Sequence, residues 1–216
     1  MSQEPSRPQA APSEGTGRAP QVTPLHSVSA SNPGTPDAGK RPLTPVELQK
    51  LQRVFGGGLT YGPVCLVRLS RFVTTLNGSR AFVTGNTVNL PESDYLALQS
   101  GRSFSLLVHE LTHVWQFQRK GWGYVAESLW AQSFGDGYDY AKALRQGTPW
   151  RKMNPEQQAQ MIEDVFKSGY FEAEGARFGL RRGLAAIIRS GQTPGTDFTD
   201  YTSVLVTALE ELRKTP

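Results

Sequence analysis

The sequence predicts an α+β domain, a small antiparallel sheet followed by a helical core. Three observations carry that expectation. Short β-branched and apolar runs bounded by turn residues crowd positions 64–90. Helical periodicities dominate after residue 103. The 10 Phe, 7 Tyr and 4 Trp all lie at or after Phe55, whereas nine of the 15 prolines fall within positions 1–45. Composition therefore divides the 216 residues into a Pro/Ser/Gly-rich tail, 1–43, and one domain, 44–216. The tail cannot bury enough apolar surface to offset its ordering entropy, and disorder is expected there. A domain of the remaining size buries about 70% of its unfolded surface and needs no staples.

The elements follow in order. Thr44, Pro45 and Glu47 have the spacing of a capped helix start, with Val46, Leu48, Leu51 and Val54 as its apolar stripe. The pattern breaks at the glycines 56–58. Strands are expected at 64–69, 81–84 and 87–90, with Gly85-Asn86 as a tight turn and Pro91 as the stop. The strand 87–90 is read as an edge to which an extended peptide could add. Ser103 is expected to cap a helix over 104–119, ended by Gly121. Further helices are expected at 125–145, interrupted at Gly135 and Gly137, and at 155–167, 176–189 and 202–214. Val204, Leu205, Leu209 and Leu212 form the docking stripe of the last. Trp115, Trp122, Trp130 and Trp150 are expected to pack the core. Arg177, Arg181 and Arg182 would mark a solvated helix face or, alternatively, a contact for an anionic surface.

Composition also excludes. A net charge of +4, from 23 Lys+Arg and 19 Asp+Glu, comes without a basic block, so nucleic acid is not an expected partner. No apolar run approaches the roughly 18 residues of a membrane span. The first residues carry no apolar core of a Sec signal, so the expected location is the cytoplasm as synthesised, with export only by a signal-independent route. Cys65, between Val64 and Leu66, reads as a buried structural thiol.

The chemistry concentrates in His109-Glu110-Leu111-Thr112-His113, an H-E-x-x-H match. Residues four apart on a helix stand about 40° apart around its axis, so both imidazoles leave one face and can share a Zn²⁺. Glu110 lies beside that position, where it can take a proton from a water the metal activates. Phe104, Val108, Leu111 and Trp115 gather on the opposite side, which lets one face pack and the other line a cleft. The third histidine, His26, lies in the tail, so a third ligand must be a carboxylate. Candidates are Glu127, Asp136, Asp139, Glu156, Glu163, Asp164, Glu172 and Glu174. On the helix 155–167, Glu156 and Glu163 both flank the apolar arc, and helical geometry does not choose between them. Asp164 and Asp139 are candidates to hold a histidine N–H. Tyr138, Tyr140 and Tyr170 are candidates to donate to an oxyanion.

The strings HELTHVWQ at 109–116 and NPEQQAQMIED at 154–164 resemble a family of bacterial zincin-like metallopeptidase domains, found alone and as the C-terminal toxin domains of type VI secretion spike proteins. The resemblance covers roughly residues 50–170. It implies a zincin-like fold and zinc-dependent hydrolysis of peptide bonds in a peptide or protein substrate. It also implies that the Glu of E-Q-Q-A, here Glu156, joins His109 and His113 on the metal while Glu110 acts as base. It further suggests an antibacterial effector with secretion-system and immunity partners, although this chain carries no spike domain. Two alternatives accompany it: a zinc-stabilised binding module without catalysis, and a zinc amidase acting on a cell-wall amide.

Overall fold

The computed structural model describes residues 39–70, 80–132 and 137–215, with the backbone alone for 122–132. All of these belong to one compact unit. The disorder expected of residues 1–38 lies outside the described residues, as do Glu127, Asp136 and the rings of Trp122 and Trp130.

Order begins before the expected boundary. Strand β1, Lys40–Pro42, falls inside the segment assigned to the tail, and pairs antiparallel with β2, Cys65–Arg68. Its Arg41 forks onto the Glu47 carboxylate, 2.7 Å to each oxygen, and stacks over Tyr95. These partners are distant or only emerge on folding, so composition could not show them. Helix α1, Pro45–Phe55, starts with the expected capping box between Thr44 and Glu47. It buries Leu51, Val54 and Phe55 completely, while Val46 stays largely exposed.

Strands β3, Phe82–Thr84, and β4, Thr87–Leu90, form the expected hairpin, with Gly85 in the left-handed region at φ 65°. The sheet order is β1-β2-β4-β3. The sheet is therefore not purely antiparallel: β4 runs parallel to β2, with Val88 opposite Leu66. Both side chains are fully buried and Leu90 nearly so, which suits β4 to an interior place. The more exposed β3 takes the outside. The edge expected at Thr87–Leu90 consequently belongs to β3.

Pro91 ends β4 and starts a helix absent from the expectation, α2, Glu92–Gln99, too short to show a clear period. Helix α3, Phe104–Gln132, contains a break at Gly121, φ 72° and ψ 178°, where two helices meet at a kink. The first of them is the expected motif helix. Helix α4, Tyr140–Arg145, and a 3₁₀ turn, Trp150–Lys152, lead into α5, Pro155–Lys167. Helix α5 opens on a second capping box, Asn154 with Gln157, and packs along α3 more extensively than any other pair of elements.

The helix expected at 176–189 is instead a hairpin of β5, Arg177–Arg181, and β6, Leu184–Ile188. Arg182 and Gly183 at its tip both have positive φ, 51° and 83°, the requirement of a two-residue hairpin turn. The Leu-Ala-Ala-Ile-Ile run is equally at home in either structure, and the turn decides. Strand β7, Phe198–Asp200, completes a sheet ordered β6-β5-β7. Helix α6, Thr202–Arg213, buries Leu205, Ala208 and Leu212 against α1 and β5. The domain is α+β, but strands flank the helices on both sides in sequence rather than preceding them. Among the described residues no helix is long and apolar enough to cross a membrane.

Candidate metal centre

Helix α3 is buried on all sides where the motif lies. Val108, Leu111 and Val114 are fully buried among apolar neighbours, and the other face buries His109, Glu110, His113 and Gln116. A network of amides locks that second face to the start of α5. Gln116 donates Nε2–H to the Pro155 carbonyl at 3.1 Å and to Gln158 Oε1 at 3.0 Å. Gln158 in turn donates to the Trp150 carbonyl at 2.9 Å. Pro155 thus sits against α3, and Glu156, the next residue, is carried to the histidines.

The same contacts orient both imidazoles. Gln116 uses its amine on two carbonyls, so the group facing His113 Nδ1, 2.9 Å away, is its oxygen. His113 must donate from Nδ1, which leaves Nε2 a bare lone pair. His109 Nδ1 faces Glu163 Oε2 at 3.1 Å, and a carboxylate only accepts, so His109 also donates from Nδ1 and turns Nε2, the atom that carries a proton or meets a metal ion, toward Glu156. Glu163 is itself held by Ser105 at 3.3 Å and Lys167 at 2.7 Å.

The two Nε2 atoms and Glu156 Oε2 form a nearly equilateral triangle. His109 Nε2 to His113 Nε2 is 3.3 Å, and Oε2 lies 3.4 Å and 3.5 Å from them. Glu156 Oε2 is buried and lacks a hydrogen bond. Ligands about 2.0–2.1 Å from a tetrahedral ion stand about 3.3–3.4 Å apart, so this triangle has the size of three corners of such a site. The group could hold a metal ion.

The electrostatics agree. Burial works against a charged His109, yet the Glu156 and Glu163 carboxylates outweigh it and lift its pKa to about 10. Burial likewise works against charge on Glu156, but the two imidazoles hold it far below the usual carboxylate range. Burial raises Glu163 too, and His109 with Lys167 bring it down to about 2. The pocket calls for positive charge, which a proton or a metal ion can supply. Glu110 differs: only 5% exposed, its carboxyl is pushed up by burial, which the neighbouring histidines only partly offset.

A cavity of about 310 Å³ opens beside His109 and Glu110, with Tyr138 on its wall. Of the three tyrosines expected as candidates, only Tyr138 faces this space. Tyr140 spends its hydroxyl on Asp164 at 3.1 Å, and Tyr170 packs edge-on against Phe171. Asp164 and Asp139 hold neither histidine: the first accepts from Tyr140, and the second caps α4. Glu163 and Gln116 hold them instead. Two spacings carried that signal, since Glu163 is seven residues after Glu156 and Gln116 three after His113, each a helical neighbour. Glu172 and Glu174 are exposed and outside the group. Comparison of the chain with protein-family models, with curated proteins and with solved structures gives no match, and a His-His-Glu group able to bind a metal ion is what the fold presents.

Proposed function

We propose that the chain is a zincin-like metallopeptidase that holds Zn²⁺ on His109, His113 and Glu156 and hydrolyses peptide bonds. The observation that carries this reading is the triangle of two Nε2 atoms and a carboxylate oxygen, with a buried Glu110 beside it that makes no hydrogen bond among the described residues. Two imidazoles and one carboxylate suit Zn²⁺, and a structural zinc site has no use for such a carboxylate. Zn²⁺ in this site supplies a Lewis acid that polarises a carbonyl and acidifies water.

The chain's own groups do the rest. Glu110, with its pKa raised by burial, takes a proton from the attacking water. It then delivers that proton to the departing amine as the C–N bond breaks. Glu163 and Gln116 keep both Nε2 atoms pointed inward throughout. Tyr138, on the cavity wall, donates its hydroxyl to the oxygen that gains charge. Strand β3, the outer strand beside α3, offers the backbone edge along which an extended substrate lies.

The test compares wild type with Glu110→Gln, both loaded with zinc. The proposal expects peptide hydrolysis by the wild type only, with equal zinc in both. Equal hydrolysis by the two proteins contradicts it.

A further inference from the structure

The cavity beside the metal centre contains a carboxylate that the proposed reaction does not use. Its walls include Asp94, Leu106, Gln160 and Glu163, with His109 and Glu110 at its inner end. Glu163 is engaged by His109, Ser105 and Lys167. Glu110 is nine-tenths buried, faces this space and has no hydrogen-bond partner among the described residues; the reaction proposed above uses it. Asp94 is half-buried and, among the described residues, makes no hydrogen bond or ion pair.

The ordinary use of Asp94 is as an acid in the first turn of α2, where it favours the helix dipole. Glu92 serves that turn as well, near Arg68. A carboxylate on a cavity wall is partly desolvated, and burial raises the Asp94 pKa. A cation in the cavity would restore what burial removes. The other walls suit one with an aliphatic stem. Leu106 and Ala81 are apolar, and Gln160 gives its amine to Asp164 at 3.1 Å, which leaves its carbonyl oxygen to accept. Arg80 is the only Lys or Arg among the cavity's described lining residues; it is exposed, and its charge acts on Tyr138.

We propose that this cavity is the subsite for a basic side chain of the substrate, Lys or Arg, adjoining the bond that is cut. Its stem lies along Leu106 and its charged head meets Asp94 and the Gln160 carbonyl. The inference rests on the metallopeptidase reading for the place of the bond, and on Asp94 for the charge.

Binding separates the two. Zinc-loaded Glu110→Gln protein is titrated with fluorescein-labelled peptides of one sequence, in which a single residue is Lys, norleucine or Glu. The Lys peptide is expected to bind about tenfold more tightly than the others, the scale of one charge-assisted hydrogen bond. Adding Asp94→Asn should bring the three within about threefold, and Asp94→Lys should turn the preference toward Glu. Equal binding of the three peptides, or a Lys preference that survives both Asp94 substitutions, overturns the proposal. The same peptides are then offered to zinc-loaded protein with Glu110 intact. If none is cut while the Asp94-dependent Lys preference stands, the peptidase reading fails and the cation subsite remains. If they are cut without such a preference, the peptidase reading remains and the subsite fails.

Discussion

Glu47 in α1 and Glu110 in α3 are buried to the same extent, 6% and 5% exposed, yet their carboxyls shift in opposite directions. Burial raises both. At Glu47 the Arg41 fork and the Thr44 backbone N–H outweigh it, and the pKa falls below the ordinary value. At Glu110 no hydrogen bond among the described residues answers it, the histidines offset it only in part, and the pKa rises. On the proposed reading, the difference separates a structural carboxylate from a chemical one in a single chain. The first has every partner it needs; the second, which makes no hydrogen bond among the described residues, would be kept so at a cost in stability, ready to accept a proton.

Substitutions can break that comparison. The largest effect is expected at Glu110→Gln: hydrolysis falls about 10²–10⁴-fold, the usual contribution of a general base, while denaturant unfolding shows stability equal to or above wild type. A loss of stability there would mean that Glu110 has a structural partner after all. Glu47→Ala should do the reverse. It strands Arg41 and costs about 3 kcal/mol in urea unfolding, at the low end for a broken buried pair because Arg41 keeps the Pro42 carbonyl and the Tyr95 face. Its zinc content should not change. Because the folded pKa of Glu47 is depressed, its contribution is present above the ordinary carboxylate value and lost as pH falls through the folded one. Glu47→Gln should therefore flatten the loss of stability on acidification relative to wild type.

The next effect concerns the groups behind the histidines. Glu163→Gln or Gln116→Leu should weaken zinc binding about 10–100-fold in competition with a chelator, with the fold retained. Unchanged affinity in both would remove these residues from the centre. A smaller effect, about 1–3 kcal/mol of stability, is expected for Gly58→Ala, measured by thermal unfolding. An added Cβ there would collide with the Leu212 carbonyl where α6 meets the end of α1. This one should leave the zinc affinity untouched.

The sequence shows most where local rules and tertiary packing agree. Thr44 with Glu47 and Asn154 with Gln157 close capping boxes, so α1 and α5 stand where their signals put them. His109 and His113 needed only helical spacing, and Glu156 entered through the E-Q-Q-A resemblance. The failures share a cause. Leu184–Ile188 has no strong period, and the turn at Arg182-Gly183 outweighs its helix-compatible alanines. Strand β1 exists through pairing with residues about 25 positions away, which no window over the Pro-rich segment contains. Parallel pairing of β2 with β4 depends on which arm of the hairpin turns inward, decided by burial of Val88 and Leu90. The supports behind the histidines were obscured because several carboxylates shared the right residue type, and only the packing of α3 on α5 selects Glu163 over Asp164.

The central claim is that His109 Nε2, His113 Nε2 and Glu156 Oε2, in a 3.3–3.5 Å triangle, form a metal site. Elemental mass spectrometry on protein purified without a histidine tag tests it most directly, with wild type beside Glu156→Ala. The account predicts about one zinc per wild-type chain and a sharp loss in the variant, both proteins remaining folded by circular dichroism. A wild-type protein that takes up no metal when zinc is supplied, or a variant that keeps its full complement, would contradict it.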